Sequence, residues 1–360
     1  MDERDFGQVT RSRWQELTPT LETMDQILDY AKTSHLAHPD EGNGRRVVSQ
    51  SNKALSMDLS TILETVVEGI FAGHRYRNSS EEGQESLSNV RLASGNLMVI
   101  LSISWQASWV FESQIGGWKR ILMNLFGNAL KYTDSGYVHV SLTAKPEPAT
   151  KLRASRIAVT LEVDDSGRGM SKDYMKYQLY TPFAQEDSHS NGTGLGLSIV
   201  RQLVTDFGGT IDIRSERGYG TTVKVKAPLM PSSELPDIQF LESSAVIADI
   251  GRRSKDLTLC LVGFKYYPEM DLTPDGILSP QARRMLAIKS SLTSLAVDWF
   301  GMNTTNAASI NSAGGDIIMA LRSEHDQSDE ITNKRPIIFF EDFISGSIQE
   351  SAGLFSLSQP

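Results

Sequence analysis

The sequence predicts an α+β fold: one mixed sheet with helices on one face, followed by a smaller α/β unit. Three observations carry that expectation. Strand-like runs at Leu97 to Ile103, Tyr137 to Ala144, Ile157 to Val163, Thr210 to Arg214 and Thr221 to Val225 do not alternate regularly with helices. Apolar residues recur at helical spacing in Asp58 to Phe71, in Trp118 to Tyr132, and in Ser198 to Phe207, the last at 199, 200, 203, 204 and 207. Beyond a Pro- and Ser-rich linker, Leu229 to Pro236, come a strand (Leu257 to Val262), a helix (Gln281 to Trp299) and two more strands (Asp316 to Leu321, Pro336 to Phe340). A length of 360 residues suits two domains at about 150 residues each.

The remaining elements follow in chain order. Trp14 to Ser34 is a predicted helix whose Leu21, Met24, Ile27, Leu28 and Ala31 share one face. Ala37 to Lys53 reads as a loop, and Asn78 to Asn89 as a polar surface loop. Leu97 to Phe111 is too short for a membrane helix of about 20 residues and carries serines and Gln106, so it reads as paired strands. Gly116 and Gly117 break the chain ahead of the helix at Trp118, and the strand from Ile157 ends at the turn-like DDSGRG.

Composition narrows the function classes. Lysine and arginine total 35 against 44 acids, a net charge of −9, which argues against general nucleic-acid or anionic-membrane binding. The single cysteine, Cys260, excludes an internal disulfide and a cysteine-based zinc site and fits a reducing compartment. The charged start, MDERDFGQVT, lacks the apolar core of a signal peptide, so the expected location is cytoplasmic.

Four segments carry candidate chemistry. Asn124 and Asn128 are four apart with Lys131 three further on, so one helix face presents two carboxamides and an ammonium, a set able to hold hydrated Mg²⁺ and phosphates. A solvated polar face explains the same spacing. Asp164-Asp165-Ser166-Gly167-Arg168-Gly169-Met170 puts a carboxylate at a strand end beside glycines that admit a planar ligand. Such a carboxylate accepts from the exocyclic amine of adenine, a charged hydrogen bond worth about 1.5–3 kcal/mol; alone, the pattern better describes a turn or a Ca²⁺-like acidic loop. Thr181-Pro182-Phe183 opens a lid-like stretch to Asn191, in which a single phenylalanine reads as a local anchor. Gly192-Thr193-Gly194-Leu195-Gly196-Leu197 exposes successive N–H groups at a helix start, where an anion is favoured.

In order and spacing, these segments resemble the ATP-binding domain of histidine protein kinases, within the superfamily shared with gyrase, MutL and the ninety-kilodalton heat-shock chaperone. NLFGNALKYT matches the asparagine box, DDSGRGM and GTGLGLSIV the two glycine boxes, TPF the phenylalanine box, and FGGTIDIRSERGYGTTVKV the closing strands. The likeness covers about Asp58 to Leu229 and is similar in phrasing to fungal hybrid kinases. It implies a two-layer sandwich of the Bergerat type that binds Mg–ATP. Asn128 with Asn124 would hold the metal, Lys131 would contact phosphate, and Tyr132 would line the pocket. Asp165 would read the adenine amine, Gly167 and Gly169 would shape the base pocket, and Thr193, Gly194, Leu195, Gly196 and Leu197 would cradle phosphates.

The resemblance also implies a domain plan: 1–55 a partial dimerisation helix and loop, 56–230 the catalytic domain, 231–255 a linker, and 256–360 a degenerate receiver-like domain. None of the six histidines, 35, 38, 74, 139, 189 and 325, stands in the family's phosphoacceptor motif. The helix LETMDQILDYAKTS resembles the second dimerisation helix, so no catalytic histidine is assigned and the chain alone is expected not to autophosphorylate. A histidine from a dimerisation domain, in a homodimer or from a kinase partner, would accept the γ-phosphate, and a receiver or phosphotransfer protein would follow. The strand GDIIMALRS ends in Ala320-Leu321, with no aspartate to take phosphate. The alternative is a nucleotide-binding pseudokinase that works through protein contacts.

Overall fold

The computed structural model describes residues 55–81 (side chains 56–74), 97–147, 156–186, 193–232, 248–264, 278–321 and 332–340. The expected helix at Trp14 to Ser34, the loop at Ala37 to Lys53, and His35 and His38 lie outside them. Residues Ala54–Pro360 form one compact unit.

Its first sheet contains β1 (Leu55–Asp58), β2 (Leu97–Ile103), β3 (Val110–Ser113), β4 (Gly136–Pro146), β5 (Ile157–Asp165), β6 (Thr210–Glu216) and β7 (Gly220–Pro231). Its strand order is β1-β3-β7-β5-β4-β2, with β6 also paired to β7. Helices α1 (Leu59–Glu81), α2 (Ile115–Lys131) and α4 (Gly196–Asp206) cover one face, while α3 (Lys172–Tyr177) is a short surface helix. Period-two alternation decides which residues meet the helices. Val138, Val140 and Leu142 of β4, and Val159, Leu161 and Val163 of β5, lie in one core with Trp118, Ile121 and Leu125 of α2.

Several elements depart from expectation. Leu97 to Phe111 does not fold into paired strands: β2 runs parallel to β4 at one edge, whereas β3 pairs with β1 and β7 on the far side. The connection SWQAS lacks hairpin turn chemistry, and Gln106 spends its Nε2 donor on the Ala144 carbonyl at 3.1 Å. Asn78 to Glu81 continue α1 rather than opening a loop. Leu229, Met230 and Pro231 are strand rather than linker, because β7 extends to pair with Phe111 and Glu112 of β3. Ile157 to Val163 also continues through Asp164 and Asp165, both paired to β4 and β7.

Gly116 and Gly117 do not break the chain; they form the first turn of α2. Gly117 serves packing there, since a Cβ would sit 2.5 Å from Phe207 Cζ. The Phe207 ring stacks on Trp118 at 5.6 Å, and Trp118 donates its indole N–H to Ser113 Oγ at 3.1 Å.

The second sheet is parallel: β8 (Thr258–Val262), β9 (Asn303–Ala307), β10 (Ile317–Leu321) and β11 (Ile337–Phe340), in the order β11-β10-β8-β9. Helix α5 (Pro280–Ser294), capped by Ser279 and continued by a wide turn at Leu295–Trp299, packs on β2 and β4. It covers part of the face of the first sheet that α1, α2 and α4 leave open. Met98 and Ile100 of β2 join the apolar cluster of this second unit.

Gly117→Ala forces the Phe207 ring out of its stack, and overpacking of this kind costs about 1–3 kcal/mol. The expected result is a lower urea midpoint with an unchanged denaturant slope; an unaltered midpoint would show that the ring yields freely.

Candidate functional site

A cleft of ≈ 280 Å³ opens where α2, the end of β5, the glycine turn after it and the start of α4 converge. Helix α2 buries Leu122, Leu125 and Ala129 in the core and turns Asn124, Asn128 and Lys131 to the cleft, as the spacing predicts. Asn124 donates its amide to the Arg120 carbonyl at 2.7 Å. Its Oδ1 lies 2.7 Å from where a Cβ on Gly196 would stand, and Asn128 Nδ2 lies 3.7 Å from the same point. Both carboxamides therefore reach the glycine loop that opens α4.

At the end of β5, alternation turns Asp165 toward the helices, beside Val163. Its Oδ1 accepts from Gly167 N at 2.9 Å and Thr221 N at 3.2 Å. These two donors fix the carboxylate and leave Oδ2 for the cleft. Burial pushes the Asp165 carboxyl up to about 7. The Gly167 N–H pulls against that rise, Asp164 adds to it, and Thr221 N–H and Arg283 oppose it.

The glycine turn is threaded between neighbours. A Cβ on Gly167 would lie 2.3 Å from the Tyr132 carbonyl oxygen; on Gly169, which has φ +65°, it would lie 2.0 Å from that of Glu216. Gly167 therefore acts behind the cleft by aiming its N–H at Asp165, whereas Gly169 lines it. Tyr132 stands at the rim, its ring under the Arg168 guanidinium at 4.4 Å and its hydroxyl accepting from Lys131 Nζ at 2.9 Å. Lys131 and Arg168 thus flank Tyr132 with two cations, and Glu186 also lines the cleft.

From the second glycine loop, Thr193, Gly194, Gly196 and Leu197 line the cleft. Leu195 does not; it caps α4, its carbonyl accepting from Ser198 Oγ at 2.8 Å and Ile199 N at 3.0 Å. The eleven-residue α4 begins at the cleft wall, where unpaired N–H groups favour an anion. Gly194, with φ +68°, lies against Phe183, whose N–H donates to the Gly194 carbonyl at 3.1 Å. Phe183 is no local anchor: the residue is 74% exposed and its φ is +66°.

Sequence reasoning missed Thr221, Tyr174 and Arg168 as lining residues. Thr221 was legible in principle, since it follows the same alternation as core residues Val223 and Val225 and puts a polar group on an apolar face. Tyr174 belongs to α3, which no periodicity announced; Ser171 starts that helix by accepting from Tyr174 N at 3.3 Å. Among the described residues, no group of three or more His, Cys, Asp or Glu side chains could hold a metal ion, and no helix is long and apolar enough to cross a membrane.

The raised carboxyl has a stability consequence. Asp165 sits near 3.8 when unfolded and near 7 when folded, so its contribution is full below 3.8 and lost as pH rises through 7. Asp165→Asn keeps an oxygen for both N–H donors without the buried charge. The variant should melt higher than wild type at pH 8, and the difference should shrink toward pH 5. Parallel pH profiles for the two proteins would contradict this.

Residues 114–231 match the family model described as histidine kinase-, DNA gyrase B- and HSP90-like ATPase. The chain is 43% identical over 112 residues to the virulence sensor protein BvgS of Bordetella bronchiseptica, covering 30% of this chain and 8% of that protein. It is 27% identical over 195 residues to hybrid signal transduction histidine kinase A of Dictyostelium discoideum, covering 51% and 9%. The chain thus spans under a tenth of the length of these two relatives. Among solved structures, full-length ShkA in complex with AMPPNP superposes with a TM-score of 0.51 at 16% identity, covering 94% of this chain and 57% of that one. That superposition speaks for the fold.

Proposed function

We propose, from the match of residues 114–231 to the histidine kinase-, DNA gyrase B- and HSP90-like ATPase family model, that this chain is the Mg–ATP-binding module of a hybrid histidine kinase. The observation that carries the reading is the double N–H clamp on Asp165, which leaves one carboxylate oxygen facing a cleft that also holds Asn124, Asn128 and the start of α4. The free oxygen suits the exocyclic amine of adenine and repels the carbonyl of guanine. Lys131 and Arg168 at the rim, with the N-terminal N–H groups of α4, suit the phosphates.

The donor set also suits Mg²⁺, a hard ion that keeps several waters and takes few protein oxygens. Asn128, with Asn124 beside it, would hold it, and the ion would neutralise phosphate charge there. The residues of this chain bind and orient the nucleotide, and the γ-phosphate passes to a histidine supplied by a dimerisation domain. A receiver or phosphotransfer protein would then take the phosphoryl group.

For the second sheet we propose a degenerate receiver. The order β11-β10-β8-β9 corresponds to the 4-3-1-2 part of a doubly wound sheet. Strand β10 ends in Ala320 and Leu321, where an acceptor would need a carboxylate. The domain plan 56–230 and 256–360 belongs to the same proposal.

In calorimetry, Asp165→Asn should weaken ATP binding roughly 10- to 100-fold, and wild-type affinity should fall as pH drops below about 7. Equal affinity for ATP and GTP in the wild type would remove the adenine-reading role. Asn128→Ala should abolish the Mg²⁺-dependent part of ATP affinity while leaving the metal-free part; equal losses with and without Mg²⁺ would displace Asn128 from the metal. Transfer of label from ATP to an added histidine-bearing dimerisation domain separates a kinase module from a pseudokinase.

A further inference from the structure

The geometry points to Arg283 of α5 as a positioning residue of the adenine-reading corner, through which the second α/β unit sets the affinity of the cleft. The inference rests on the nucleotide reading above. Adjacent residues of one strand face opposite ways: Asp165 toward the cleft, Asp164 toward the face that α5 covers. Arg283 donates from Nη1 to Asp164 Oδ1, and from Nη2 to the Tyr219 carbonyl and to the carbonyl of Asp165 itself at 3.2 Å.

These contacts hold the Asp165 backbone and the strand that carries the Thr221 arm of the clamp. Tyr219 lies two residues before Thr221, whose N–H holds Asp165 Oδ1. Between them Gly220, with φ +108°, crosses so close behind β5 that a Cβ would lie 2.0 Å from the Asp165 carbonyl oxygen. Asp164 is fixed in turn by Tyr137 Oη on Oδ2 and by Thr222 Oγ1 on Oδ1 at 2.5 Å. The Arg283 side chain is only 12% exposed. Elsewhere the second unit is seated on the edge strand, by a Ser102–Ser291 hydrogen bond and by Trp299 Nε1 on the Ile103 carbonyl at 3.2 Å. The guanidinium also favours the ionised form of Asp165. Asp165 is otherwise faced by Asp164 and Tyr137 from the sheet and, around the cleft, by Lys131, Tyr132, Arg168, Tyr174 and Glu186. By linkage, whatever unseats the second unit weakens nucleotide binding, and nucleotide strengthens the seat equally.

The test titrates the full chain with Mg–ATP from pH 6 to 9. Arg283→Met should weaken ATP binding about tenfold or more and raise the pH midpoint of binding, and Arg283→Lys should recover part of both. Asp164→Asn/Arg283→Met, which leaves no unpaired buried charge, keeps the question open to measurement if Arg283→Met fails to fold; it should show the same weakening. Ser291→Ala, at the other contact, should leave the midpoint in place. Wild-type affinity and midpoint in a folded Arg283 variant would overturn the inference. So would a loss that Arg283→Lys does not relieve and that moves no midpoint, which marks general support. A wild-type chain that binds no ATP would instead defeat the nucleotide reading.

Discussion

The clamp on Asp165 is the constraint around which the site is built. A buried carboxylate is costly unless its oxygens are satisfied, and here two backbone N–H groups meet at one oxygen. Each donor makes its own demand. Gly167 can present its N–H only because it has no side chain to strike the Tyr132 carbonyl, and Thr221 is brought in by a turn whose Gly220 runs against the back of Asp165. The end of α2, the glycine turn and the β6–β7 turn are thus folded onto one carboxylate. The donors do not wholly offset the burial, so the group titrates near neutral pH. A site poised in this way gives up stability for an acceptor that a ligand amine can complete.

Most of this was legible because it is local. The face formed by Asn124, Asn128 and Lys131 follows from helical spacing, and the strand-end position of Asp165 from a β-rich run meeting glycines. Strand pairing was not legible. Leu97 to Phe111 looks like one hairpin, yet β2 and β3 stand on opposite sides of the sheet, because partners are chosen by packing across the whole sheet rather than by neighbouring residues. Strand β9, NTTNA, has no apolar alternation; it is held by its register with β8. Gly117 looks like a helix breaker until the Phe207 ring is seen against it, ninety residues away in sequence.

The same non-locality governs Gly167 and Leu195, the two expected site residues that do not line the cleft. One-dimensional spacing cannot separate a backbone that touches a ligand from one that aims another group at it. Both residues contribute through their main chain, Gly167 to the Asp165 carboxylate and Leu195 to the first turn of α4. They shape the site from one layer behind it.

Alternation along β4 and β5 carries the argument further. Tyr137, His139 and Asp164 interleave with core valines, a pattern that ordinarily describes a solvated outer face. Here the face is covered, and burial shows in the titrating groups: the Tyr137 hydroxyl is pushed up and the His139 imidazole down. Polar residues under a helix must find partners there. Asp164 finds Arg283, Tyr137 and Thr222, and His139 Nε2 finds Ser102 Oγ at 2.9 Å. Apolar burial is displaced to the edge, where Met98 and Ile100 meet the second core. An interface with its ionic contacts beneath the cleft and its apolar contacts at the far edge divides two tasks. The edge supplies non-directional attraction, while the buried ion pair fixes where α5 sits on β5. A buried pair gains little over an apolar replacement but loses much when one partner is removed, so it discriminates sharply between a seated and a displaced helix.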